Sequence, residues 1–508
     1  MTATTATAAP AALLAVRAAA TPRRAAVEHR GTVLTWAGLA ARVTRARARV
    51  REDGQAPGSR TGVLARNDPD TLVTLLAAAA EGREVVLYDA RATDAERGQV
   101  AALAGLTGWH TPVAAGEAGR AEDAGHAGGA AAAEDAGRAE DAAPAGGPGS
   151  TGGPAPAPYL ALVTSGTGGR PKVVRKHWGV ALANSAAFAS LAGYRGDDRI
   201  LCTTPLHHAY AFGVALLPSL LTGATLVLAP HPAAPAALAR ALRDSRATVV
   251  QSVPFLYRAL LDGGEPLAPS APRVCVSAGE PLPAATAAAW RAATGVALRD
   301  QYGSTEFGQI AYATGTPGGP LRLVPGVTAR LRAPDGTWVA APDPEARGEL
   351  YLRQAGSGPV TYLGLPELAA ASHVDGWFRT GDSGRLPSPG HVVVEGRTTR
   401  RISVAGRKVD PDEVEAAVRG VPGVRDCWVS APPEGSPGHG DRFAAFVAVD
   451  PGVTEAVVRR HLARALSSYK VPTRFHLRDE LPRTGTGKVH AARLWREAGA
   501  GRGAEDGA

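Results

Sequence analysis

The stretch that decides the fold is Val163-Thr-Ser-Gly-Thr-Gly-Gly-Arg-Pro-Lys172, which follows a short apolar segment. Glycines in such a stretch let the backbone approach an anion and direct several amide groups toward it. The hydroxyls of Thr164, Ser165 and Thr167 add hydrogen-bond donors, and Lys172 adds positive charge. The spacing differs from GxxxxGK[ST], which excludes the P-loop of nucleoside triphosphatases. The sequence predicts a strand that leads into a phosphate-binding loop.

Apolar strands and helices alternate on both sides of this loop, which predicts an α/β fold of layered sheets. Strands are predicted at Thr61–Ala65, Glu84–Tyr88, Leu160–Thr164, Ile200–Thr203, Thr225–Leu228, Val249–Ser252 and Val274–Ser277. A compact unit with two strands and two helices ends the pattern. With 508 residues the chain exceeds the usual size of one domain. We expect a large N-terminal domain of layered α/β sheets at 1–396 and a small, mobile α+β C-terminal domain at 397–508.

Residues 113–158 interrupt the large domain with a sequence of low complexity. The segment consists mainly of Ala, Gly, Glu, Asp and Pro, and AGRAEDA occurs at Ala118–Ala124 and again at Ala136–Ala142. It has too little apolar bulk to offset the entropy lost on ordering. We expect a disordered surface insertion, and its role stays open.

Charge and composition exclude several classes of protein. The net charge of +8 arises mostly from scattered arginines, without a basic block that alternates with aromatic residues, so nucleic-acid binding is not expected. No signal-peptide pattern and no unbroken apolar stretch of membrane-spanning length is present, and no membrane partner is expected. Cys202, Cys275 and Cys427 lie far apart in apolar stretches, which indicates free buried thiols. We therefore expect a soluble cytoplasmic protein.

Two further segments combine turn residues with groups that bind nucleotides. Ala278-Gly279-Glu280 follows a predicted strand, and Gln301-Tyr-Gly-Ser-Thr-Glu306 forms a second predicted turn. Open α/β sheets place ligands at the carboxyl ends of their strands. A carboxylate that faces a polyphosphate suits Mg²⁺, which takes one or two carboxylates together with phosphate oxygens. Alone, each segment is equally compatible with a surface turn.

Two segments nearer the C-terminus complete the set of candidates. Gly376-Trp-Phe-Arg-Thr-Gly-Asp382 offers an aspartate in a predicted turn, where it is suited either to accept two ribose hydroxyls or to cap the turn. Pro482-Arg-Thr-Gly-Thr-Gly-Lys488 presents one lysine on a glycine-rich loop. A lone lysine near a C-terminus is usually surface charge. None of these segments decides the function by itself.

Taken together and in this order, the segments resemble the adenylate-forming superfamily. That superfamily comprises acyl-CoA synthetases, aryl-acid ligases, adenylation domains of nonribosomal peptide synthesis and luciferases, which are AMP-binding enzymes. The resemblance covers nearly the whole chain except 113–158. It implies activation of a carboxylic acid by ATP to an acyl-adenylate with release of pyrophosphate, followed by transfer to CoA or to the phosphopantetheine thiol of a separate carrier protein. ATP and Mg²⁺ are the implied cofactors.

The resemblance also implies roles for individual residues. Lys488 is the implied catalytic lysine, which bridges the acid's carboxylate and the α-phosphate, and Glu306 is the implied Mg²⁺ ligand. Asp382 is expected to bind the ribose hydroxyls beside Arg397, with Tyr302 near adenine and Thr305 at the α-phosphate. The remaining residues expected to bind ATP or AMP are Thr164, Ser165, Gly166, Thr167, Gly168, Lys172, Gly279, Glu280, Gln301, Gly303 and Ser304. Thr167 is in addition expected to take part in catalysis.

The acyl pocket is expected around Pro205-Leu-His-His-Ala-Tyr-Ala-Phe-Gly213, which matches the Pro-x-x-His segment of the family. His208 is interpreted as a gate or pocket wall rather than a proton carrier, and the plain alternative for His207 is a partly exposed neighbour. Further pocket residues are Phe212, Ala278, Gly279 and Gly303. These mostly apolar or aromatic groups favour an aryl or medium-chain biosynthetic acid.

The expected hinge differs from the family pattern. Thr399 is the implied hinge residue, and Gly406 is expected to line the approach of the thiol. The usual Gly-Arg-x-Asp-Asp-x-Ile-Lys is replaced by Gly396-Arg-Thr-Thr-Arg-Arg-Ile-Ser403, so the acidic pair and the lysine are missing. This change motivates one alternative, a ligase that passes the acid to an amine. A catalytically silent nucleotide-binding regulator is the other alternative.

Overall fold

The computed structural model of the protein describes residues 10–53, 55–92, 94–112, 159–165, 171–231, 234–263, 267, 272–279, 281–315, 318–339, 343–397, 402–404, 407–409, 411–433, 442–466, 468–484 and 487–500. The segment 113–158 lies outside them, so its disorder stays a prediction. Among the described helices, none has the length and apolar character needed to cross a membrane. All three cysteines are free and buried, as expected.

The described helices are, in chain order, α1 Pro10–Ala20, α2 Trp36–Glu52, α3 Pro69–Ala80, α4 Asp94–Ala104, α5 Trp178–Ala192, α6 Ala209–Ala211, α7 Leu217–Thr222, α8 Pro235–Asp244, α9 Pro254–Asp262, α10 Ala284–Thr294, α11 Pro366–Ala371, α12 Pro411–Arg419, α13 Glu455–Ala465 and α14 Ala491–Ala500. The first thirteen strands are β1 Ala25–His29, β2 Thr32–Thr35, β3 Arg60–Ala65, β4 Glu84–Asp89, β5 Trp109–His110, β6 Tyr159–Ser165, β7 Pro171–His177, β8 Arg199–Cys202, β9 Thr225–Leu228, β10 Val249–Ser252, β11 Val274–Ala278, β12 Leu298–Ser304 and β13 Gly308–Tyr312. The others are β14 Leu321–Leu323, β15 Val327–Arg332, β16 Gly348–Gln354, β17 Thr361–Tyr362, β18 His373–Val374, β19 Trp377–Arg385, β20 His391–Arg397, β21 Ile402–Val404, β22 Arg407–Val409, β23 Val424–Ser430, β24 Ala444–Val449 and β25 Arg474–Arg478.

The larger sheet runs β15-β16-β19-β20-β14-β13-β12-β11-β10-β8-β9-β1-β2 through the described chain, with β18 beside β19. Strands β8 to β12 form a parallel segment. All four residues of β10 and all four of β9 are buried. Parallel strands are covered on both faces, which is why these segments are continuously apolar rather than alternating. The carboxyl ends of β11 and β12 carry two of the predicted site segments.

A second sheet has the order β17-β7-β6-β4-β3-β5 within the described residues. Strands β6 and β7 form an antiparallel hairpin in which Thr164 is opposite Lys172. The helix α5 follows β7 and packs against both β7 and β13, so it links the two sheets. Its residues Trp178 and Phe188 are fully buried in the main core. The hairpin and the β12–β13 turn are thereby held against each other.

The small C-terminal domain contains the three-stranded sheet β23-β24-β25 and the two-stranded sheet β21-β22, with its own buried core. It touches the large domain at α9. The guanidinium of Arg258 donates from Nη1 to the backbone oxygen of Arg425 over 2.8 Å. The guanidinium of Arg483 lies 4.7 Å from the centroid of the Phe255 ring. These contacts hold the loop that bears Lys488 against the large domain.

The expected α/β fold with a large N-terminal and a small C-terminal domain is confirmed, whereas the limits 1–396 and 397–508 stay predictions. Three local expectations were wrong. The segment predicted as one loop has strand residues at both ends, since Pro171–His177 forms β7. The residues 301–304 belong to β12 rather than to a turn. Asp382 lies inside β19, opposite Arg397 of β20, rather than in a turn. The glycines in these segments favoured a prediction of turns, because glycine lowers strand propensity.

Candidate active site

The β6–β7 hairpin brings Thr164 and Lys172 to the site. The two residues are opposite each other in the antiparallel register, and Ser165 is opposite Pro171. The ammonium of Lys172 lies 5.7 Å from the centroid of the Tyr362 ring, which is within cation–π range. The predicted residues Gly166, Thr167 and Gly168 lie outside the described residues. The described ends of the hairpin therefore present one cation and one hydroxyl at the start of the loop.

Glu306 lies in the turn between β12 and β13, close to the hairpin. The Tyr362 hydroxyl donates to its Oε1 over 3.3 Å. Burial raises the pKa of Tyr362, and Glu306 adds to this shift, so the phenol keeps its proton and remains a donor. The hydroxyl of Ser304 accepts a bond of 3.0 Å from the Phe307 amide, which closes the turn. A carboxylate, a phenol and the ammonium of Lys172 are thus brought together.

The second group of polar residues joins β12 to β19. The Tyr302 hydroxyl donates to Oδ2 of Asp382. Asp382 is only 3% exposed, and its amide donates to the Thr380 hydroxyl over 3.0 Å. Arg397 is opposite Asp382 in the strand register, and its side chain is outside the described part of the structure. The structure brings together the residues expected at adenine and at ribose.

Close packing fixes the backbone around Tyr302. Gln301 is buried and donates from Nε2 to the backbone oxygen of Tyr302 over 2.7 Å. A Cβ on Gly303 would lie 2.6 Å from the Gly308 oxygen, closer than any side chain tolerates. Gly279, after β11, has φ +91°, a conformation that favours glycine. Thr305 is partly buried in the turn, Ala278 is buried in β11, and Glu280 is not among the described residues.

The rings of His207 and His208 are in contact, with centroids 4.5 Å apart and planes tilted by 43°. Burial lowers the pKa of His207 to about 4, and Asp89, at 3.9 Å, opposes this shift. Burial, His207 and Lys488 hold the pKa of His208 well below its usual range. Both rings are therefore neutral near pH 7. The alternative that His207 is a partly exposed neighbour was wrong, because it is only 6% exposed.

A cavity of about 1260 Å³ adjoins Glu306 on the side of α5. Phe212 lines it, whereas the other predicted pocket residues do not: His207, His208, Ala278, Gly279 and Gly303. Phe212 begins a π-helical turn, Phe212–Leu216, a form that is frequent at functional sites. A Cβ on Gly213 would lie 2.2 Å from Nε2 of Gln309, so these two residues interlock. Of the substrate-pocket residues that the sequence predicted, only Phe212 lines this cavity.

Asn184 and Lys176 are polar residues of this cavity that the sequence analysis missed. The side chain of Asn184 donates to the backbone oxygen of Gln309 over 2.8 Å and accepts from the backbone N–H of Gln309 over 2.8 Å. The signal for it was a lone asparagine in the otherwise apolar helix α5. Burial lowers the pKa of Lys176 to about 8, and Glu306 opposes this shift. Tyr362 was also missed, since β17 is only two residues long.

Lys488 lies in a tight turn of the small domain. The Thr484 amide donates to its backbone oxygen over 2.7 Å, and Arg483 pairs with Val489 in a β-bridge. The Lys488 side chain is exposed and is close enough to His208 to lower its pKa. The structure thus brings the predicted lysine within electrostatic range of the predicted pocket wall. Thr399 and Gly406, the expected hinge and thiol-tunnel residues, lie outside the described residues.

The sequence matches two family models in the order of the two domains. Residues 14–360 match the AMP-binding enzyme family, and residues 413–488 match the C-terminal domain of AMP-binding enzymes. The chain belongs to the AMP-binding enzyme family. The expected superfamily is thereby confirmed for this AMP-binding enzyme.

Relatives and solved structures agree with this membership. A feruloyl-CoA synthase of Amycolatopsis sp is 32% identical, over 95% of this chain and 98% of that protein. A benzoate–CoA ligase of Thauera aromatica is 32% identical, over 66% and 64%. The ATP-bound MatB of Rhodopseudomonas palustris is 25% identical with a TM-score of 0.75, covering 96% and 98%. An anthranilate CoA ligase in complex with anthranoyl-AMP, 21% identical with a TM-score of 0.78 over 98% and 99%, shares the fold of this AMP-binding enzyme.

Proposed function

We propose that this AMP-binding enzyme activates an aryl or medium-chain carboxylic acid with ATP and then transfers the acyl group to the thiol of CoA. The observation that supports this most directly is the convergence of two groups beside β12. Glu306, Tyr362 and Lys172 are on one side, and Tyr302 with Asp382 is on the other. The relatives named as CoA synthases and CoA ligases of aromatic acids support the acceptor and the substrate class.

Asp382 and Tyr302 hold the nucleoside. A carboxylate buried in a strand and already fixed by a phenol is a rigid acceptor for ribose hydroxyls. Because Tyr302 is bound to Asp382, its ring is held in one orientation beside the expected adenine. Gly303 leaves no room for a side chain at this position, so the nucleoside meets backbone. Arg397 is assigned to the same group from the strand register.

The triphosphate is assigned to the hairpin end where Thr164 is opposite Lys172, with Thr305 at the α-phosphate. The assignment of Ser165 and Thr167 to the same phosphates rests on the family resemblance alone. Glu306 suits Mg²⁺, because a single carboxylate beside phosphate oxygens is the usual protein contribution to such a site. Among the described residues no cluster of three or more acidic, His or Cys side chains competes for a metal. Mg²⁺ neutralises charge that develops on the phosphates. The residues present therefore fit ATP with Mg²⁺.

Lys488 offsets the repulsion between the attacking carboxylate and the α-phosphate. Both groups are anionic, so a cation placed between them stabilises the transition state more than the ground state. The acid is already ionised near pH 7, and no general base is required. His207 and His208, whose pKa values burial lowers, are therefore not needed as proton carriers. We assign the activity to the cytoplasm and to biosynthesis of a secondary metabolite.

The acceptor is tested together with the first step. Pyrophosphate release is measured over a panel of aryl and acyl acids, with CoA or with hydroxylamine as acceptor, and thioester is identified by mass spectrometry. We expect CoA-dependent thioester and AMP with at least one aryl acid. Hydroxamate without thioester would favour transfer to an amine, which the altered 399–403 stretch motivates. The phosphopantetheine of a carrier protein is the other thiol to be tested.

A catalytically silent regulator is tested by pyrophosphate exchange. Exchange that depends on the acid, and that disappears in Lys488→Ala, excludes a protein that only binds nucleotide. No exchange with any acid, despite measurable ATP binding, would instead support the regulator.

A further inference from the structure

Lys176 lies near the end of β7, between Arg175 and His177, and is directed at the β12–β13 turn. Its Nζ lies 3.5 Å from the point where a Cβ of Gly308 would be, and it lines the cavity of about 1260 Å³. Glu306 is the nearby carboxylate that acts on it electrostatically. No hydrogen bond and no ion pair within 4 Å joins the ammonium to any residue that the structure describes. Lys176 is half-buried, so an acceptor bound in the cavity would replace the water that its ammonium otherwise keeps.

The other basic residues of the cavity are already engaged. Arg175 makes two bonds to Glu84, of 2.9 and 3.0 Å, and stacks on Tyr159. Arg353 stacks 4.9 Å from the Trp377 ring centroid and donates to two backbone oxygens. Lys176 differs from both because it has only the electrostatic influence of Glu306.

Glu306 cannot serve as the permanent partner of Lys176 if the proposed function holds. In that function its carboxylate is committed to Mg²⁺, so its charge is shared with a metal in the working complex. The ammonium is then available to another acceptor within the cavity. The side chain of Asn184 is already fixed by two hydrogen bonds to the Gln309 backbone.

The cavity has room for such an acceptor. Its volume exceeds the upper end of usual small-molecule sites, about 1,000 Å³. Phe212, Gly213 and Leu217 form an apolar wall, and Lys176 lies on the side of Glu306 and Gly308. Phe212, which the sequence analysis assigned to the acyl pocket, lines this space, so an acid that packs against Phe212 borders it.

We propose that Lys176 determines specificity by binding an oxygen acceptor at the end of the acid that is remote from the activated carboxylate. The acceptor is a hydroxyl, carbonyl or second carboxylate oxygen. This inference rests on the proposed function, because it assumes that the cavity receives the acid. It adds the substrate class, an acid with a second oxygen function, to the activity of the site.

The test uses pairs of acids that differ only in one distal group, such as hydroxybenzoates and hydroxycinnamates against their methyl analogues. The value of kcat/KM for pyrophosphate release is measured for the full chain, for Lys176→Met and for Lys176→Arg. We expect the unaltered enzyme to prefer the oxygen member of at least one pair, and Lys176→Met to lose about tenfold or more on that member alone. Lys176→Arg keeps the preference, because it keeps the charge. The control Lys470→Met, at a lysine that does not line the cavity, changes neither member.

Several results would overturn the inference. One is an unaltered enzyme that treats every pair alike, and this result does not depend on whether a variant folds. Another is a Lys176→Met enzyme that loses the same factor on all acids and needs more Mg²⁺, since the lysine would then serve Glu306. A failure of the proposed function looks different, because no acid would then release pyrophosphate. Thermal unfolding of Lys176→Met is expected at the same or a higher temperature, since a lysine without a partner is removed.

Discussion

The Tyr302 hydroxyl donates a hydrogen bond to Oδ2 of Asp382, although 80 positions separate the two residues in the chain. The bond crosses from the parallel segment of the large sheet to its antiparallel end, because β12 and β19 belong to these two parts. The nucleoside end of the site is thus assembled by the sheet order. A mutation at Tyr302 therefore tests how the Asp382 carboxylate is positioned, because the charge of Asp382 itself is unchanged.

Tyr302→Phe is expected to raise the KM for ATP about tenfold and to change kcat for a saturating acid much less. A hydrogen bond to a charged group contributes about 1.5–3 kcal/mol, and its loss lets the carboxylate rotate away from the ribose. Steady-state kinetics and calorimetric binding of ATP give the two numbers. An unchanged KM would mean that the phenol does not position Asp382. Tyr351→Phe, which breaks only the bond to Glu349, is the matched control.

Lys488→Ala is expected to slow adenylate formation about 100-fold or more while ATP still binds. Removal of one positioned donor at a developing charge costs about 3 kcal/mol or more. Single-turnover formation of the adenylate and the Kd for ATP are measured separately. Lys470→Ala, in the same domain but outside the proposed site, should leave both unchanged. Equal loss of ATP affinity and rate would assign Lys488 to ground-state binding.

Gly303→Ala is expected to lower the free energy of unfolding by about 1–3 kcal/mol, as overpacking does. The new Cβ meets the Gly308 backbone oxygen at 2.6 Å, and backbone cannot swing aside as a side chain can. Urea denaturation gives the difference. Gly315→Ala serves as control, since nothing lies within 4 Å of its Cβ position. Equal stability of both variants would show that the β12–β13 turn adjusts without cost.

Acid pH is expected to destabilise the fold through His207. Burial lowers its pKa from 6.5 to about 4, so between these values the unfolded chain binds more protons than the folded one. The stabilising free energy is therefore fully present above pH 6.5 and decreases as the pH falls toward 4. The decrease attributable to this residue is on the order of 3 kcal/mol. Urea unfolding at several pH values, for the unaltered chain and for His207→Gln, measures it.

The same experiment carries its own control. His461→Gln, on a helix of the small domain, should keep the full pH dependence of the unaltered chain. The prediction would fail if His207→Gln kept the whole of that dependence, since His208, whose pKa is also lowered, accounts for only part of it.

Much of the fold could be predicted from local sequence. The strands β9 and β10 have the bounds that their apolar runs predicted, because buried strands admit few polar residues. The acid-activating ligase expected from the ordered segments agrees with the family and with the relatives. The order of the segments along the chain carried this information better than any single residue.

The neighbours across the two sheets could not be predicted in the same way. Nothing near Lys176 in the sequence indicates that Glu306 acts on its ammonium electrostatically, because their proximity depends on how β7 packs against the β12–β13 turn. The short strand with Tyr362 gives no periodic signal. The glycines around Asp382 and Tyr302 suggested turns, whereas neighbouring strands supply the hydrogen bonds that keep both residues extended. Local composition predicts the structure poorly where pairing with a distant strand determines whether a segment is extended.

The position of β17 has a practical consequence for dividing the protein into fragments. This strand pairs with Val174 and Arg175 of β7 and covers the outer edge of the smaller sheet. The family match of the large domain ends at residue 360, just before it. A fragment cut there would leave the edge of β7 without its neighbour, and open strand edges promote association between molecules. Fragments for expression should therefore extend beyond Gly364, where the chain has completed the strand and its turn.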